Sequence, residues 1–218
     1  AVTVGAGIGA AASAVLRLDA DQQISTTSAV TIHSDGRFEV AGFTETIGSL
    51  AGTGTVDLGG GVLTVGGTTS TTFDGTLAGT GEFIKSGTGT LTFGSSLTFA
   101  GKVTLAGGTL RLSGDNYTFD ELVISGATVL DFAGNTRLTV GTFTVLGGAS
   151  LYVLNWTEAV DFFIATSFTG ATYDVLGSAP VNQITFSGFA AADTRWSAYD
   201  DQVTPVPEPA ARGALRHA

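Results

Sequence analysis

The sequence predicts an all-β protein whose short strands stack in parallel as a β-solenoid. Three observations favour this fold: short strands with an apolar–x–apolar pattern, a recurrence of this pattern about every 20 residues, and glycine at the turns. Glycine accounts for 32 of 218 residues, about twice the ordinary share. Only 13% of the residues are charged, while 43% are hydrophobic. Such a chain has enough apolar surface to bury a core, and almost no segment favours helix.

The apolar–x–apolar motif occurs seven times at spacings between 19 and 28 residues. Its alternation puts two side chains on the core-facing side of the strand and the residue between them on the solvent-facing side. Strands this short are too small for independent hairpins, but stacked coils would enclose a common apolar column. Seven coils at about 4.8 Å each predict a rod about 35 Å long. The motifs are Leu16/Leu18, Phe38/Val40, Leu63/Val65, Leu91/Phe93, Leu110/Leu112, Leu130/Phe132 and Leu151/Val153.

An antiparallel β-sandwich or barrel is the structural alternative, since it also needs short alternating strands between turns. The solenoid is favoured because turns and strands recur together. One example is the segment Leu-Ala-Gly-Thr-Gly, which ends at Gly54 and again at Gly81, 27 residues later.

The distribution of repeats, glycine and aromatic residues along the chain predicts three regions. Residues 1–150 carry the solenoid repeats. Residues 151–204 hold both tryptophans and little glycine, which is typical of an aromatic cap that closes the end of a solenoid. Residues 205–218 form a tail.

The N-terminus has no comparable cap and reads as strand from its first residues. An open end of this kind can accept a further strand, so self-association is expected there. The residues expected to take part are Ala1, Val2, Thr3, Val4 and Ile8.

Residues 73–93 and 99–112 resemble the autotransporter-associated passenger repeat. Both segments combine Leu-Ala-Gly turns with Thr-Leu-x-apolar strands. The resemblance implies a right-handed parallel β-helix that is exported to the outer surface of a Gram-negative bacterium.

The C-terminus resembles a second family, the PEP-CTERM sorting signal of exopolysaccharide-producing Gram-negative bacteria. The signature residues are Val206, Pro207, Glu208 and Pro209. The family continues with a transmembrane helix and a basic tail, whereas residues 211–218 contain no apolar span.

Residues for catalysis or metal binding are scarce. The chain has no cysteine and two histidines, so thiolate chemistry, zinc sites and Ser-His-Asp triads lack components. We therefore expect no catalytic residue, no cofactor and no metal. The net charge of −10 argues against nucleic acid as a partner. No apolar stretch reaches the roughly 18 residues of a membrane span, so no membrane insertion of this chain is expected.

Two functions remain open at this stage. The first is a non-catalytic exported structural protein, a surface or matrix module or a filament subunit, whose partner is another copy of itself in a homopolymer or surface array. The second is a protein that binds or cleaves polysaccharide, with exopolysaccharide as its partner. For the second function, Trp156, Trp196 and Tyr199 are candidates for stacking on sugar rings. The candidate carboxylate clusters are Asp115/Asp120/Glu121 and Asp200/Asp201.

Overall fold

The computed structural model describes residues 1–206. The described part contains twenty-two short strands and two 3-10 turns, Val181–Gln183 and Ala191–Asp193. The strands are β1 (Val2–Val4), β2 (Ala14–Arg17), β3 (Ala29–Ile32), β4 (Gly36–Glu39), β5 (Thr44–Ile47), β6 (Ser49–Gly52), β7 (Thr55–Asp57), β8 (Val62–Val65), β9 (Thr71–Phe73), β10 (Thr76–Ala78), β11 (Glu82–Lys85), β12 (Thr90–Phe93), β13 (Leu97–Leu105), β14 (Gly108–Leu112), β15 (Asn116–Ile124), β16 (Ala127–Phe132), β17 (Arg137–Val145), β18 (Ser150–Leu154), β19 (Phe162–Phe168), β20 (Ile184–Phe186), β21 (Thr194–Trp196) and β22 (Val203–Pro205).

The strands form three parallel sheets, of which the second is confined to the N-terminal coils. We call them sheet A (β1-β3-β6-β9-β12-β14-β16-β18-β20), sheet B (β2-β4-β7-β10) and sheet C (β5-β8-β11-β13-β15-β17-β19). Each strand pairs with the strand one coil away, and the only antiparallel pair of named strands in residues 1–206 is β21 with β22. The predicted parallel β-solenoid is therefore confirmed and the antiparallel alternative is wrong. The right hand of the winding stays a prediction.

The cross-section changes along the axis. In the early coils, sheets A, B and C each contribute a separate short strand. In each of the coils of β13, β15 and β17, one nine-residue strand replaces the separate strands of sheets B and C. The register of β13 to β15 shifts between Phe99 and Lys102. This irregularity turns the strand at the corner that the earlier coils make with a loop. The segment from residue 151 contributes β18, β19 and β20 to the stacks before the chain reaches the β21–β22 hairpin.

Apolar side chains stack in columns inside the coils. In sheet C one column runs through Leu63, Phe83, Val103, Leu122 and Phe143, which are in register and completely buried. Because each of these coils adds one large side chain, this column has no break from β8 to β17. Burial of such side chains contributes about 1.5–3 kcal/mol each, which makes these columns the main source of stability.

The seven sequence motifs fall on different sheets. Leu16 and Phe38 lie in sheet B, Leu63 lies in sheet C, and the last four motifs lie in sheet A. The expected single stack of all seven is wrong, because every sheet of a solenoid has the same alternation. The middle residue of each motif, between the two apolar ones, is partly or fully exposed except for Asp131, which is 7% exposed.

Glycine is required where the corners of successive coils touch. Gly61, Gly81 and Gly101 lie above one another, and a Cβ atom on Gly81 would overlap the carbonyl oxygen of Gly61. The two Leu-Ala-Gly-Thr-Gly segments occupy different sheets, since the first forms β6 of sheet A and the second β10 of sheet B. The repeat therefore reflects a shared demand for a tight corner and not a vertical stack.

A lysine interrupts one apolar column. Lys85 lies between Val65 and Leu105 in sheet C and is 2% exposed. Its ammonium donates to the carbonyl oxygens of Ser86 at 2.5 Å and Gly87 at 3.2 Å, and burial lowers the pKa of the Lys85 amine to about 8. The fold thus carries a desolvated charge at neutral pH.

We expect the Lys85→Met variant to change the pH dependence of stability. Below pH 8 both the folded and the unfolded parent carry the charge, and the folded state is penalised for burying it. Between pH 8 and the ordinary Lys pKa of 10.5 the folded state releases this proton first, so the stability of the parent rises with pH. The free-energy difference between the variant and the parent should shift in favour of the parent by about 2 kcal/mol from pH 7 to pH 10. Urea unfolding of both proteins at several pH values measures this, and parallel curves would contradict it.

Candidate functional site

An open cleft lies beside the β21–β22 hairpin at the C-terminal end of the solenoid. Its volume is about 470 Å³. The loop after β18 and the start of β19 form one wall, and the hairpin with its connecting turn forms the other. The side chains that matter below are Trp156, Glu158, Phe162, Arg195, Tyr199, Asp200 and Gln202.

The turn between β21 and β22 is braced by hydrogen bonds. The backbone N–H of Ser197 donates to the carbonyl of Gln202 at 2.8 Å, and the N–H of Asp201 donates to the carbonyl of Ser197 at 3.0 Å. The Gln202 side-chain amide also donates to the Asp200 carboxylate. At the tip of this turn Tyr199 is 97% exposed. A large aromatic side chain is thus held out in solvent by an ordered backbone.

Trp156 lies in the opposite wall and is partly buried. Its ring meets Phe186 edge to face, with 5.2 Å between the ring centroids. The indole Nε1 of Trp156 is buried and has no hydrogen-bond partner within residues 1–206, and the same holds for Nε of Arg195. Two donors on the lining of one cleft therefore lack acceptors, which is unusual for buried N–H groups.

The lining of the cleft carries more negative than positive charge. Glu158 and Asp200 are exposed acids, while the guanidinium of Arg195 lies 3.5 Å from the carboxylate of Asp174 outside the lining. Burial raises the pKa of Asp200, but hydrogen bonds from Ser197 and Gln202 together lower it by more. The pKa of Asp200 therefore lies below its ordinary value. Asp200 is therefore ionised at neutral pH.

The three predicted stacking residues have different environments. Trp156 and Tyr199 both line the cleft, whereas Trp196 is 6% exposed, stacks on Tyr173 at 3.7 Å between centroids and donates its indole N–H to the carbonyl of Ala165. The expectation for Trp196 is wrong because this ring belongs to the core of the cap.

Glu158, Phe162, Arg195 and Gln202 were not predicted from the sequence. They belong to segments that are far apart along the chain, and no periodicity connects them. The density of aromatic residues after residue 150 pointed to the region but not to these positions.

The hairpin also closes the solenoid. The outer edge of β19 pairs with the residues before β22, through a bridge between Ile164 and Gln202 and a bond from the Ala165 N–H to the Asp201 carbonyl at 2.9 Å. Phe168 packs on Trp196 below it. This arrangement agrees with the aromatic cap predicted for the C-terminal region.

The N-terminal candidates for self-association lie at the opposite end. Ala1 and Thr3 are exposed, Val2 is partly buried and Val4 is buried, while Ile8 is 92% exposed. Within residues 1–206, β1 pairs only with β3, so its other edge has no strand partner. A role of these residues in self-association stays a prediction.

The glycine-rich loop after β1 wraps around a carboxylate. The backbone N–H groups of Ala6, Gly7 and Gly9 donate to Asp35 at distances between 2.7 and 3.2 Å. The hydrogen bond from Gly7 has the largest effect on the pKa of Asp35. Desolvation opposes it, but the bonds from Ala6 and Gly9 act in the same direction as Gly7, and the pKa falls to about 2. The loop thus binds an anion that the chain itself supplies.

The sorting-signal signature falls almost entirely outside the described residues. Val206 lies at the rim of the cleft and donates its N–H to the carbonyl of Asp193 at 2.7 Å. Pro207, Glu208 and Pro209 lie outside the described residues.

The solenoid acids serve the structure where their contacts are visible. Asp131 accepts from the Asn155 side chain at 2.6 Å and lies 3.7 Å from Arg111. Asp115 and Asp120 are exposed on the coil surface. No group of three or more potential metal-ligating side chains occurs within residues 1–206, and no helix in that part is long and apolar enough to cross a membrane.

Comparison with known proteins supplies one relative. The chain is similar to the Adhesin BmaC autotransporter of Brucella suis biovar 1 (strain 1330), with 35% identity over 153 residues. The match covers 69% of this chain but 4% of the relative's length, so the matched segment is a small part of a much longer protein. No protein-family model matches the chain, and no solved structure matches it. The similarity supports the resemblance to autotransporter passengers, whereas it does not bear on the sorting signal.

Proposed function

We propose that this chain is part of an exported passenger displayed on the surface of a Gram-negative bacterium, where it acts without catalysis as a rigid β-solenoid in adhesion. The observation that carries this proposal is the similarity to an autotransporter adhesin over 69% of the chain.

The fold supports a mechanical role. The apolar column through Phe83 in sheet C is continuous from β8 to β17, and the side chains between the apolar ones point outwards, so the coils stack along one axis. Such a rod can carry a binding surface away from the cell envelope. The edge of β1 that has no strand partner within residues 1–206, together with the exposed side chain of Ile8, is the feature with which this module would join another copy in a filament or surface array.

The experiment that tests the proposal is labelling of the producing bacterium with antibodies raised against this chain. We expect labelling of intact cells, and we expect a strain with an in-frame deletion of the coding segment to lose the label and to attach less to solid surfaces or host cells. A periplasmic protein, labelled only after permeabilisation, is the control. Labelling that requires permeabilisation would contradict surface display, and unchanged attachment of the deletion strain would contradict the role in adhesion.

A further inference from the structure

The cleft beside the β21–β22 hairpin has the properties of a ligand site. Its volume of about 470 Å³ lies within the roughly 300–1,000 Å³ of small-molecule sites. It combines aromatic rings, two acids, a guanidinium and an amide. We propose that it binds a neutral oligosaccharide. This inference adds a ligand to the proposed surface role and does not depend on it.

The aromatic residues suit the face of a sugar ring. Tyr199 is 97% exposed at the tip of a braced turn, so its ring is presented without support from the core. Trp156 forms part of the other wall and is fixed by its contact with Phe186. An aromatic side chain has only two rotatable bonds and apolar ring faces, so it loses little entropy when it stacks on a partner that is apolar on one side and polar on the other.

The polar groups of the cleft suit hydroxyl groups. Nε1 of Trp156 and Nε of Arg195 are buried donors without acceptors within the described residues. Both nitrogens are closed off from solvent, so the donors that ligand hydroxyls can reach belong to the rest of the partly exposed Arg195 guanidinium. The carboxylates of Glu158 and Asp200 can in turn accept from ligand hydroxyls, because a carboxylate accepts several hydrogen bonds.

The charge of the lining selects a neutral ligand. Glu158 and Asp200 face a single cation, Arg195, which already pairs with Asp174. The whole chain carries a net charge of −10. An acidic polysaccharide would bring further carboxylates or sulfates to a site that is already negative, which is unfavourable. A ligand without charge avoids this repulsion and keeps the contacts described above.

Isothermal titration of the full chain with a panel of neutral oligosaccharides tests the proposal. The panel contains β-glucan, xylan, mannan and galactan fragments, and oligogalacturonate and alginate fragments serve as acidic counterparts. We expect at least one neutral member to bind, and Tyr199→Ala to weaken that binding by about tenfold or more, since Tyr199 can be truncated without opening the core. The matched control is Tyr152→Ala, an exposed tyrosine of sheet A that does not line the cleft.

A second variant tests the argument from charge. Asp200→Asn keeps the shape of the lining and removes one negative charge, so it should narrow the preference for neutral over acidic fragments. Absence of binding by every neutral fragment at millimolar concentration would overturn the proposal. Equal losses in the Tyr199→Ala and Tyr152→Ala variants, or tighter binding of acidic than of neutral fragments by the parent chain, would overturn it as well. None of these results would affect the labelling of intact cells, so a failure here is distinguishable from a failure of the proposed surface role.

Discussion

The Phe83→Ala variant is expected to lose about 3–5 kcal/mol of unfolding free energy. Phe83 is completely buried, lies in register between Leu63 and Val103, and packs against Phe93 at 5.8 Å between ring centroids. Truncation removes the ring from the middle of a column, and the coils on both sides lose contacts because each coil contacts only its neighbours. Chemical unfolding followed by circular dichroism measures the loss.

The neighbouring residue provides the control for this prediction. Ile84 follows Phe83 on the same strand but points to the outer face and is partly exposed. We expect Ile84→Ala to cost less than about 1 kcal/mol, because little apolar area leaves the core. Similar losses for Phe83→Ala and Ile84→Ala would show that the inward and outward faces of β11 are assigned incorrectly.

A methyl group on Gly81 is expected to destabilise the fold by about 2–3 kcal/mol. The added Cβ of a Gly81→Ala variant would overlap the carbonyl oxygen of Gly61 in the preceding coil. This neighbour is backbone that is itself held in the stack, so relief requires the two coils to separate at the corner. The stability of the variant is measured by thermal and chemical unfolding.

Gly60 offers a matched control within the same corner. A Cβ on Gly60 meets nothing within 4 Å, so Gly60→Ala fits without displacement of its neighbours. We expect this variant to be neutral or slightly stabilised, because alanine restricts the unfolded chain more than glycine does. A loss at Gly60 as large as that at Gly81 would contradict the close approach of the coils.

Much of the fold is readable from local pattern. The alternation at Leu91/Phe93 and Leu110/Leu112 predicted buried residues, and all four are buried in sheet A. The pattern did not reveal which strand lies above which. Phe38 stacks on Val56 in sheet B, although the sequence series continued from Phe38 to Leu63. Alternation has a period of two in the strands of all three sheets, so it does not show to which sheet a strand belongs.

The alternating pattern did not predict which polar residues are buried. Lys85 occupies an inward position between Val65 and Leu105, and its sequence context gives no sign of burial. Glu45 is completely buried at the start of sheet C and accepts from the backbone N–H groups of Gln23 and Ile24. The donors to Glu45 lie in another segment, and Lys85 donates to the nearby carbonyls of Ser86 and Gly87 but is enclosed by the neighbouring coils, so both environments exist only after the coils are stacked.

The residues of the candidate site were also predicted only in part, because their surroundings depend on the folded chain. Trp156 and Tyr199 were singled out as aromatic residues, and both line the cleft, but Trp196 was expected beside them and is buried. Three aromatic side chains in one region do not differ in sequence terms. Only the position of the hairpin over β19 decides which ring packs inwards and which faces solvent.

The sequence by itself determined a stacked all-β chain with an apolar interior, corners that need glycine and an aromatic C-terminal region. These features follow from short-range rules: alternation, turn chemistry and spacing. The tertiary structure alone decided the register of the three sheets, the burial of Lys85 and the cleft between Trp156 and Tyr199. Each of these depends on contacts between residues about 20 to 45 positions apart, which exist only when the coils and the closing hairpin are in place.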